Sequence, residues 1–275
     1  MLGQVRAAGK GHEIAAAKAL LKQVPVAQRV VTADALLTQR DVSEQIVAAG
    51  GDDLFPIDAN QSALLKDATA ALSPWMGAER LPDGLPTGVT TPPIWLQREL
   101  AERGGRISWF IDASPKVQHG RREVRVFWAL ADPEQNAYVG SSGTHAKPWP
   151  HLAQICCVER HRLFVRRGQV IATEVDIRYY VTSLDPKRAD AKALLALTRG
   201  HWGIENRLHH VRDVTFDEDR SQMRVGAGPQ TFAACRNLVI AILRRSGATN
   251  IAAALRTFAA RPANAALLVL TTGRL

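Results

Sequence analysis

The chain has 275 residues, 46% of them hydrophobic, which is enough for one or two domains with a buried core. No apolar run approaches the roughly 18 residues that a membrane span needs, and the amino terminus lacks the apolar segment of a signal peptide. The three cysteines form no disulfide framework, which suits a reducing cytoplasm. The net charge of +9 favours a polyanionic partner, with nucleic acid first, over a basic but inert surface.

The first 72 residues alternate predicted helices and strands. Helical spacing predicts helices over residues 12–22, 38–49 and 61–72. β-branched runs predict strands at residues 29–33 and 54–57. Thr38 is the predicted cap of the second helix, and Asp34 directly follows the first strand. The alternation favours α/β architecture.

The middle of the chain changes character twice. Residues 73–93 hold five prolines and are interpreted as a loop or linker. Between residues 106 and 184, six β-branched and aromatic segments predict strands: ISWFID, EVRVFWAL, QICCVER, LFVRR, QVIATEV and IRYYVTSL. These segments predict a β-rich subdomain, in which Cys156 and Cys157 are buried strand residues and not zinc ligands.

The carboxy-terminal part is predicted to be helical and basic. Helices are expected over residues 187–212, 230–245 and 250–260, with Asn250 as the cap of the last one and Pro262 after its end. Residues 226–275 carry six arginines and no Asp or Glu. Such a helical segment is suited to neutralising phosphates.

The segment from 199 to 224, RGHWGIENRLHHVRDVTFDEDRSQMR, carries the most chemistry. On a helix, His201, Glu205, His209 and Arg212 share one face. A carboxylate between basic groups can bind a metal ion beside a phosphate, although a solvated polar helix face would show the same spacing. A zinc site is disfavoured because the HExxH pattern is absent.

This segment resembles the end of transposases of the ISAs type, also called H-repeat-associated proteins, which belong to the DDE class of bacterial insertion sequences. The similar pattern is HWxIEN-LH-DV-F-ED. The earlier segments VVTADALLTQ, GGDDLFPIDANQ and HGRREVR match the same family in the same order. The resemblance covers nearly the whole chain.

The resemblance implies a ribonuclease H-like core in which three carboxylates hold two divalent ions, with Mg²⁺ expected. Asp34 matches the second aspartate of the family and Glu205 its glutamate, so both are predicted catalytic residues and metal ligands. The ordinary alternative for Asp34 is a turn or helix cap. Related families have a DNA-contacting basic residue at the position of Arg212, and Arg199, His201 and Arg207 are predicted to bind DNA with it.

The pattern breaks near the amino terminus, where the family's first catalytic aspartate has no counterpart because no Asp precedes Asp34. We therefore expect a chain truncated at its amino terminus, with very weak or no strand cleavage. Asp112 is a disfavoured substitute because it lies in the inserted region. The family also has an aromatic residue where Asp53 stands and a lysine where Asp58 stands.

The expected architecture is α/β: a partial ribonuclease H-like core with an inserted β-rich subdomain and a helical carboxy-terminal region. The expected divisions are 1–72, 73–185 and 186–275. The expected partners are the terminal inverted repeats of the element and a homodimer or an intact transposase, in the cytoplasm of a bacterium and on its nucleoid. The alternatives are a non-catalytic remnant that binds DNA or another transposase, and an unfolded product.

Overall fold

The computed structural model describes residues 5, 9, 11–74, 94–114, 116–142, 147–204, 208, 210–223 and 225–272. The chain divides into two compact units. The first unit, Gly11–Arg199, is built on a sheet, and the second consists of Gly200–Leu275 with Met1–Lys10. Most of the expected linker, residues 75–93, lies outside the described residues.

The described strands of the first unit form one six-stranded sheet in the order β1-β2-β6-β5-β4-β3. The strands are β1 (Val30–Thr32), β2 (Asp52–Ile57), β3 (Arg106–Ala113), β4 (Arg121–Ala131), β5 (Gln154–Arg166) and β6 (Gln169–Thr182). β1 and β2 are parallel, and the other pairs are antiparallel. The strands of the expected β-rich subdomain therefore continue the same sheet as β1 and β2.

The number of strands between residues 106 and 184 was predicted wrongly. The segments QICCVER and LFVRR both belong to β5, and QVIATEV and IRYYVTSL both belong to β6. Charged residues interrupt the apolar pattern within β5 and β6, and these interruptions were interpreted as the ends of separate strands. Cross-strand pairs accommodate these charges, as Arg162 lies 3.2 Å from Glu174 on β6 and Arg160 lies 2.6 Å from Glu123 on β4.

The described helices are α1 (Glu13–Leu21), α2 (Arg40–Ala48), α3 (Ser62–Leu72), α4 (Ile94–Glu102), α5 (Pro133–Asn136), α6 (Ala191–Ile204), α7 (Gly228–Arg245), α8 (Ile251–Ala260) and α9 (Pro262–Thr272). The predictions for α1, α3, α7 and α8 are confirmed within a few residues. Thr38 does not cap α2, which begins at Arg40, because its hydroxyl donates a 2.6 Å hydrogen bond to the carbonyl of Pro56. No helix among these is long and apolar enough to cross a membrane.

The sheet of the first unit has a hydrophobic core on each face. On one face the core includes Val42 and Ile46 of α2 and Leu64 of α3, together with alternate residues of the strands. On the other face α6 contributes Leu194 and Leu195 to a second buried cluster. Alternating strand residues therefore face two helical layers, which explains why these strands are apolar on both sides.

The second unit has a smaller core, in which the buried residues are Val211, Ile240, Leu243 and Ile251. The Asn250 side chain accepts a 2.9 Å hydrogen bond from the amide of Ala253, which confirms the predicted cap of α8. Pro262 was expected to follow the last helix. It begins α9 instead, because the fixed φ of proline suits the first position of a helix.

Candidate active site

Asp34 lies just beyond the carboxyl end of β1 and is exposed to solvent. It begins a short 3₁₀ turn, Ala35–Leu37, and its Oδ1 accepts a hydrogen bond of 3.2 Å from the amide of Leu37. The carboxylate therefore has a structural role as a turn cap. Its exposure also leaves it accessible to an ion or a substrate.

A second aspartate occupies the equivalent place on the neighbouring parallel strand. Asp58 directly follows β2, and its Oδ1 accepts a 2.7 Å hydrogen bond from the amide of Ala59 at the start of another 3₁₀ turn. Asn60 in that turn donates a 2.8 Å hydrogen bond to the carbonyl of Ala35. The two turns are thus tied together at the carboxyl ends of two parallel strands, where α/β sheets often hold ligands.

Asp53 is fully buried in β2. The hydroxyl of Ser43 and the amide of Ser183 donate to its carboxylate, the latter at 2.9 Å, and its own amide donates to the Ser183 hydroxyl at 2.9 Å. Desolvation raises the pKa of the Asp53 carboxyl, and the two hydrogen bonds oppose that rise. The Ser43 hydroxyl and the Ser183 amide therefore explain how this strand tolerates a buried carboxyl group.

The predicted site residues of the helical segment are only partly described. Glu205 and Arg207 lie outside the described residues, as does His209. Arg199 is described, and its guanidinium lies 2.6 Å from the carboxylate of Asp112. The side chain of His201 is partly buried near the end of α6. The proposed DNA contacts of these residues stay predictions.

Arg212 is engaged with a carboxylate. Two of its guanidinium nitrogens, Nε and Nη2, donate to Glu218, with Nη2 at 2.9 Å, and Arg236 of α7 lies 3.3 Å from the same carboxylate. The hydrogen bond with Glu218 raises the pKa of Arg212, and the same bond lowers the pKa of Glu218. This trio connects the π-helical turn Val211–Thr215 to α7, so part of the charge of Arg212 is already compensated.

Asp112 is far from Asp34 in the sheet. It lies on β3, whereas Asp34 follows β1, and these are the two edge strands of the described sheet. At about 4.8 Å between neighbouring strands, five spacings separate the edges by ~24 Å. Two ligands of one metal ion lie within a few ångströms of each other, so Asp112 does not replace a missing carboxylate beside Asp34.

The described residues contain no group of three His, Cys, Asp or Glu side chains that could hold a metal ion. Cys156 and Cys157 are buried in β5, as predicted, and burial raises the pKa of both thiols. Thiols with raised pKa values are poor nucleophiles and poor metal ligands at neutral pH. The cysteines of β5 are therefore packing residues.

The family model described as a transposase DDE domain matches residues 1–242. The chain belongs to the DDE transposase family. It is similar to the "H repeat-associated putative transposase YhhI" of Escherichia coli (strain K12), with 26% identity over 243 residues. A shorter match, to the "H repeat-associated putative transposase YbfD" of the same strain, has 35% identity over 66 residues, which are 24% of this chain and 26% of that protein. These relatives confirm the resemblance to H-repeat-associated DDE transposases.

This DDE transposase chain spans about half the length of the longer relatives that it matches. The match to YhhI covers 88% of this chain and 54% of that protein. "Putative protein YbfL" of the same strain shows the same coverage at 26% identity. No solved structure matches the chain.

Two features of the DDE transposase chain were missed by reasoning from sequence. The pairing of Arg212 with Glu218 was not foreseen, because residues six apart do not share a helix face and the separate turn that carries Glu218 is evident only in the structure. The His119-Gly120 and Arg167-Gly168 pairs, each between two runs of strand residues, also indicate two-residue turns. These turns bring distant basic residues together.

Proposed function

We propose that this chain takes part in metal-dependent cleavage and transfer of DNA strands during transposition of an insertion sequence. The observation that carries the proposal is the position of Asp34. This exposed carboxylate follows a parallel strand at the place where the family pattern has its second aspartate. The parallel pair β1 and β2, with α2 between them, is consistent with part of a ribonuclease H-like core.

In this proposal Asp34 and Glu205 are catalytic carboxylates and ligands of Mg²⁺. When bound, the ions would activate the attacking hydroxyl and stabilise the leaving oxygen. The fit of Asp34 is favourable, since a carboxylate oxygen is the hard ligand that Mg²⁺ prefers and this carboxylate is exposed. Its cap hydrogen bond from Leu37 restricts its orientation before any ion binds.

The proposal assigns contacts with DNA phosphates to Arg199, His201, Arg207 and Arg212. Arg199 and Arg212 are already paired with carboxylates at short distances. To contact a phosphate, the guanidinium of each arginine would either bind the phosphate and its carboxylate partner together or break the ion pair with that carboxylate. We therefore propose that these two arginines contribute to orientation of the site as well as to DNA affinity. The DNA would be the terminal repeats of the element, and a second transposase copy is the proposed protein partner.

The family's first catalytic aspartate has no counterpart before Asp34 in these 275 residues. We therefore propose that the 275-residue chain cleaves DNA weakly by itself. The second candidate function is DNA binding without cleavage. It is favoured by the local role of Asp34, because a turn cap accounts for that aspartate without catalysis.

The test is nicking of a supercoiled plasmid that carries the terminal repeats, in Mg²⁺ or Mn²⁺. The variants are Asp34→Asn and Glu205→Gln, and the matched control is Asp58→Asn, which alters a similar turn cap on the adjacent strand. Weak nicking that disappears in the first two variants and persists in the control supports the proposal. Nicking that survives in both site variants contradicts it, and DNA binding without nicking favours the second candidate.

A further inference from the structure

The first unit carries two tight turns side by side at one end of the sheet. Residues 118–121 form the turn before β4, and Gln118 and Arg121 exchange hydrogen bonds of 2.9 and 3.0 Å. The other turn joins β5 to β6 between Arg166 and Gln169. The amide of Val165 donates a 2.8 Å hydrogen bond to the carbonyl of Gly120, which holds the two turns together.

These turns and their adjoining strand residues form a basic surface, defined here as the basic turns, residues 116–122 and 162–167. The two segments contain no Asp or Glu, and their Lys and Arg residues are Lys116, Arg121, Arg122, Arg162, Arg166 and Arg167. The register places Arg121 opposite Phe164 and Arg122 opposite Leu163, so charges far apart in sequence are neighbours in the sheet. Such clustering creates a positive potential that a polyanion would neutralise.

Salt bridges do not account for the positions of the outermost of these charges. Arg121, Arg166 and Arg167 are exposed, and none of them makes a salt bridge with another described residue. In contrast, Arg162 lies 3.2 Å from Glu174. Arg167 also has a φ of 51°, a left-handed conformation in which Gly or Asn is usual at this position of a hairpin turn. An exposed arginine without a salt bridge among the described residues, at a left-handed backbone position, indicates a role outside the fold.

The basic turns project beyond the end of the sheet at which Asp34 lies. Thr32, the last residue of β1, pairs with Leu54, and Leu54 pairs with Thr182 of β6. β6 begins at Gln169 beside the turn, thirteen residues earlier in the chain. At about 3.4 Å per residue, the turns lie ~40 Å further along the strand direction. A duplex has a phosphate about every 3.4 Å on each strand, so that distance corresponds to roughly twelve base pairs.

We propose that the basic turns bind the backbone phosphates of duplex DNA, outside the segment that would undergo cleavage. Arg121, Arg166 and Arg167 supply the contacts, which are electrostatic and independent of base sequence. The choice of DNA as the polyanion rests on the proposed function. The binding surface itself requires neither Asp34 nor Glu205.

The test is the salt dependence of binding to a short duplex of unrelated sequence, in a chelator so that cleavage cannot occur. The triple variant Arg121→Ala, Arg166→Ala, Arg167→Ala is compared with a control, Lys22→Ala, Arg29→Ala, Lys187→Ala. The control removes three exposed positive charges elsewhere in the same unit. Circular dichroism and thermal melts establish that each variant is folded.

The logarithm of the association constant falls as the logarithm of the salt concentration rises, and each phosphate contact adds about 0.9 to the steepness of that line. The turn variant should therefore reduce the steepness by about 2.7. The control should change it much less. The single Arg167→Gly variant, which suits the left-handed backbone, should lower the slope by about 0.9. Equal slopes for the turn variant and the control, or no binding of the duplex by the wild-type chain, would overturn the inference.

The two proposals fail in distinguishable ways. A chain that binds DNA through the basic turns but never nicks it would contradict the catalytic proposal alone. Nicking that depends on Asp34 and Glu205, together with a salt slope unaffected by the turn variant, would contradict the inference about the turns alone.

Discussion

The carboxyl ends of β1 and β2 and the basic turns are both exposed ends of strands in the first unit, yet their charged residues are held differently. Asp34 and Asp58 each accept a hydrogen bond from the turn that they begin. Arg166 and Arg167 make no salt bridge among the described residues, and Arg167 adopts a strained backbone. The aspartates thus have local structural reasons for their positions, whereas the arginines of the turn do not.

The evidence for a functional role therefore differs between Asp34 and the basic turns. For Asp34, a catalytic role depends on the match to the DDE transposase family, because a turn cap alone explains that aspartate, as it does Asp58. For the arginines, the family match assigns no role, and the inference comes from clustering, exposure and strain.

The first prediction concerns the strand that supports the basic turns. Glu159 of β5 is buried, accepts a 2.8 Å hydrogen bond from the Trp128 indole and lies 3.2 Å from His161. Glu159→Ala leaves a buried donor without its partner, so it should lower the free energy of unfolding by about 3 kcal/mol. Urea denaturation measures the loss. Glu159→Gln keeps an acceptor for Trp128 and should lose less, and equal losses would contradict this account.

The second prediction concerns β2, the strand that ends before Asp58. Because the pKa of Asp53 is raised in the folded state, the folded protein keeps a proton that the unfolded chain has already released. Stability is therefore highest below the unfolded pKa and falls as the pH rises through the folded pKa. The maximum slope from one group is about 1.4 kcal/mol per pH unit.

The measurement is the free energy of unfolding of the wild type and of Asp53→Asn over the acidic range. The Asn side chain does not ionise, so the variant should lack this component of the pH dependence. If the two curves are parallel through that range, Asp53 does not have a raised pKa.

The third prediction compares the two turn caps directly. Asp34→Ala and Asp58→Ala should each lower the free energy of unfolding by about 1 kcal/mol, since each loses one hydrogen bond to a turn amide. Denaturant titration provides the values. An Asp34→Ala variant that is more stable than the wild type would show that the unfavourable cost of placing a carboxylate at position 34 exceeds the stabilisation from its cap hydrogen bond. Asp34 and Asp58 would then not be equivalent turn caps.

The fourth prediction has the smallest effect and concerns Arg167. Glycine suits a φ of 51° better than arginine does, so Arg167→Gly should raise the free energy of unfolding by about 0.5 kcal/mol. A thermal melt of this variant and of Arg166→Gly, which lies outside the two central turn positions, provides the comparison. A lower stability for Arg167→Gly would remove the argument from strain.

Much of the first unit could be predicted from local patterns. The strand before Asp34 and the helix ending at Leu72 followed from apolar spacing and β-branched runs. The length of β5 could not be predicted, because the charges from Glu159 to Arg162 are accommodated by partners on β4 and β6 that only the folded sheet brings together. The prediction that Thr38 caps α2 was wrong for a similar reason. The hydroxyl of Thr38 donates a hydrogen bond to the carbonyl of Pro56, and the sequence gives no sign of this tertiary contact.

In the candidate site, too, features that depend on local sequence could be predicted and features that depend on tertiary packing could not. The place of Asp34 after a strand could be predicted, because strand ends are marked by local composition. The ion pairs of Arg199 with Asp112 and of Arg212 with Glu218 could not, because they depend on how α6 and the π-helical turn are packed. A basic residue in a motif predicts positive charge, and its carboxylate neighbours decide how much of that charge is available.

The most direct test of the central claim is to map a bound divalent ion in the whole chain with Fe²⁺ in place of Mg²⁺. Peroxide then cuts the backbone next to the ion, and the fragments identify the binding residues. We expect cuts beside Asp34 and beside Glu205, both lost in Asp34→Asn and both kept in Asp58→Asn. Cuts confined to other segments, or cuts that persist unchanged in Asp34→Asn, would contradict the claim that these two carboxylates share a metal site.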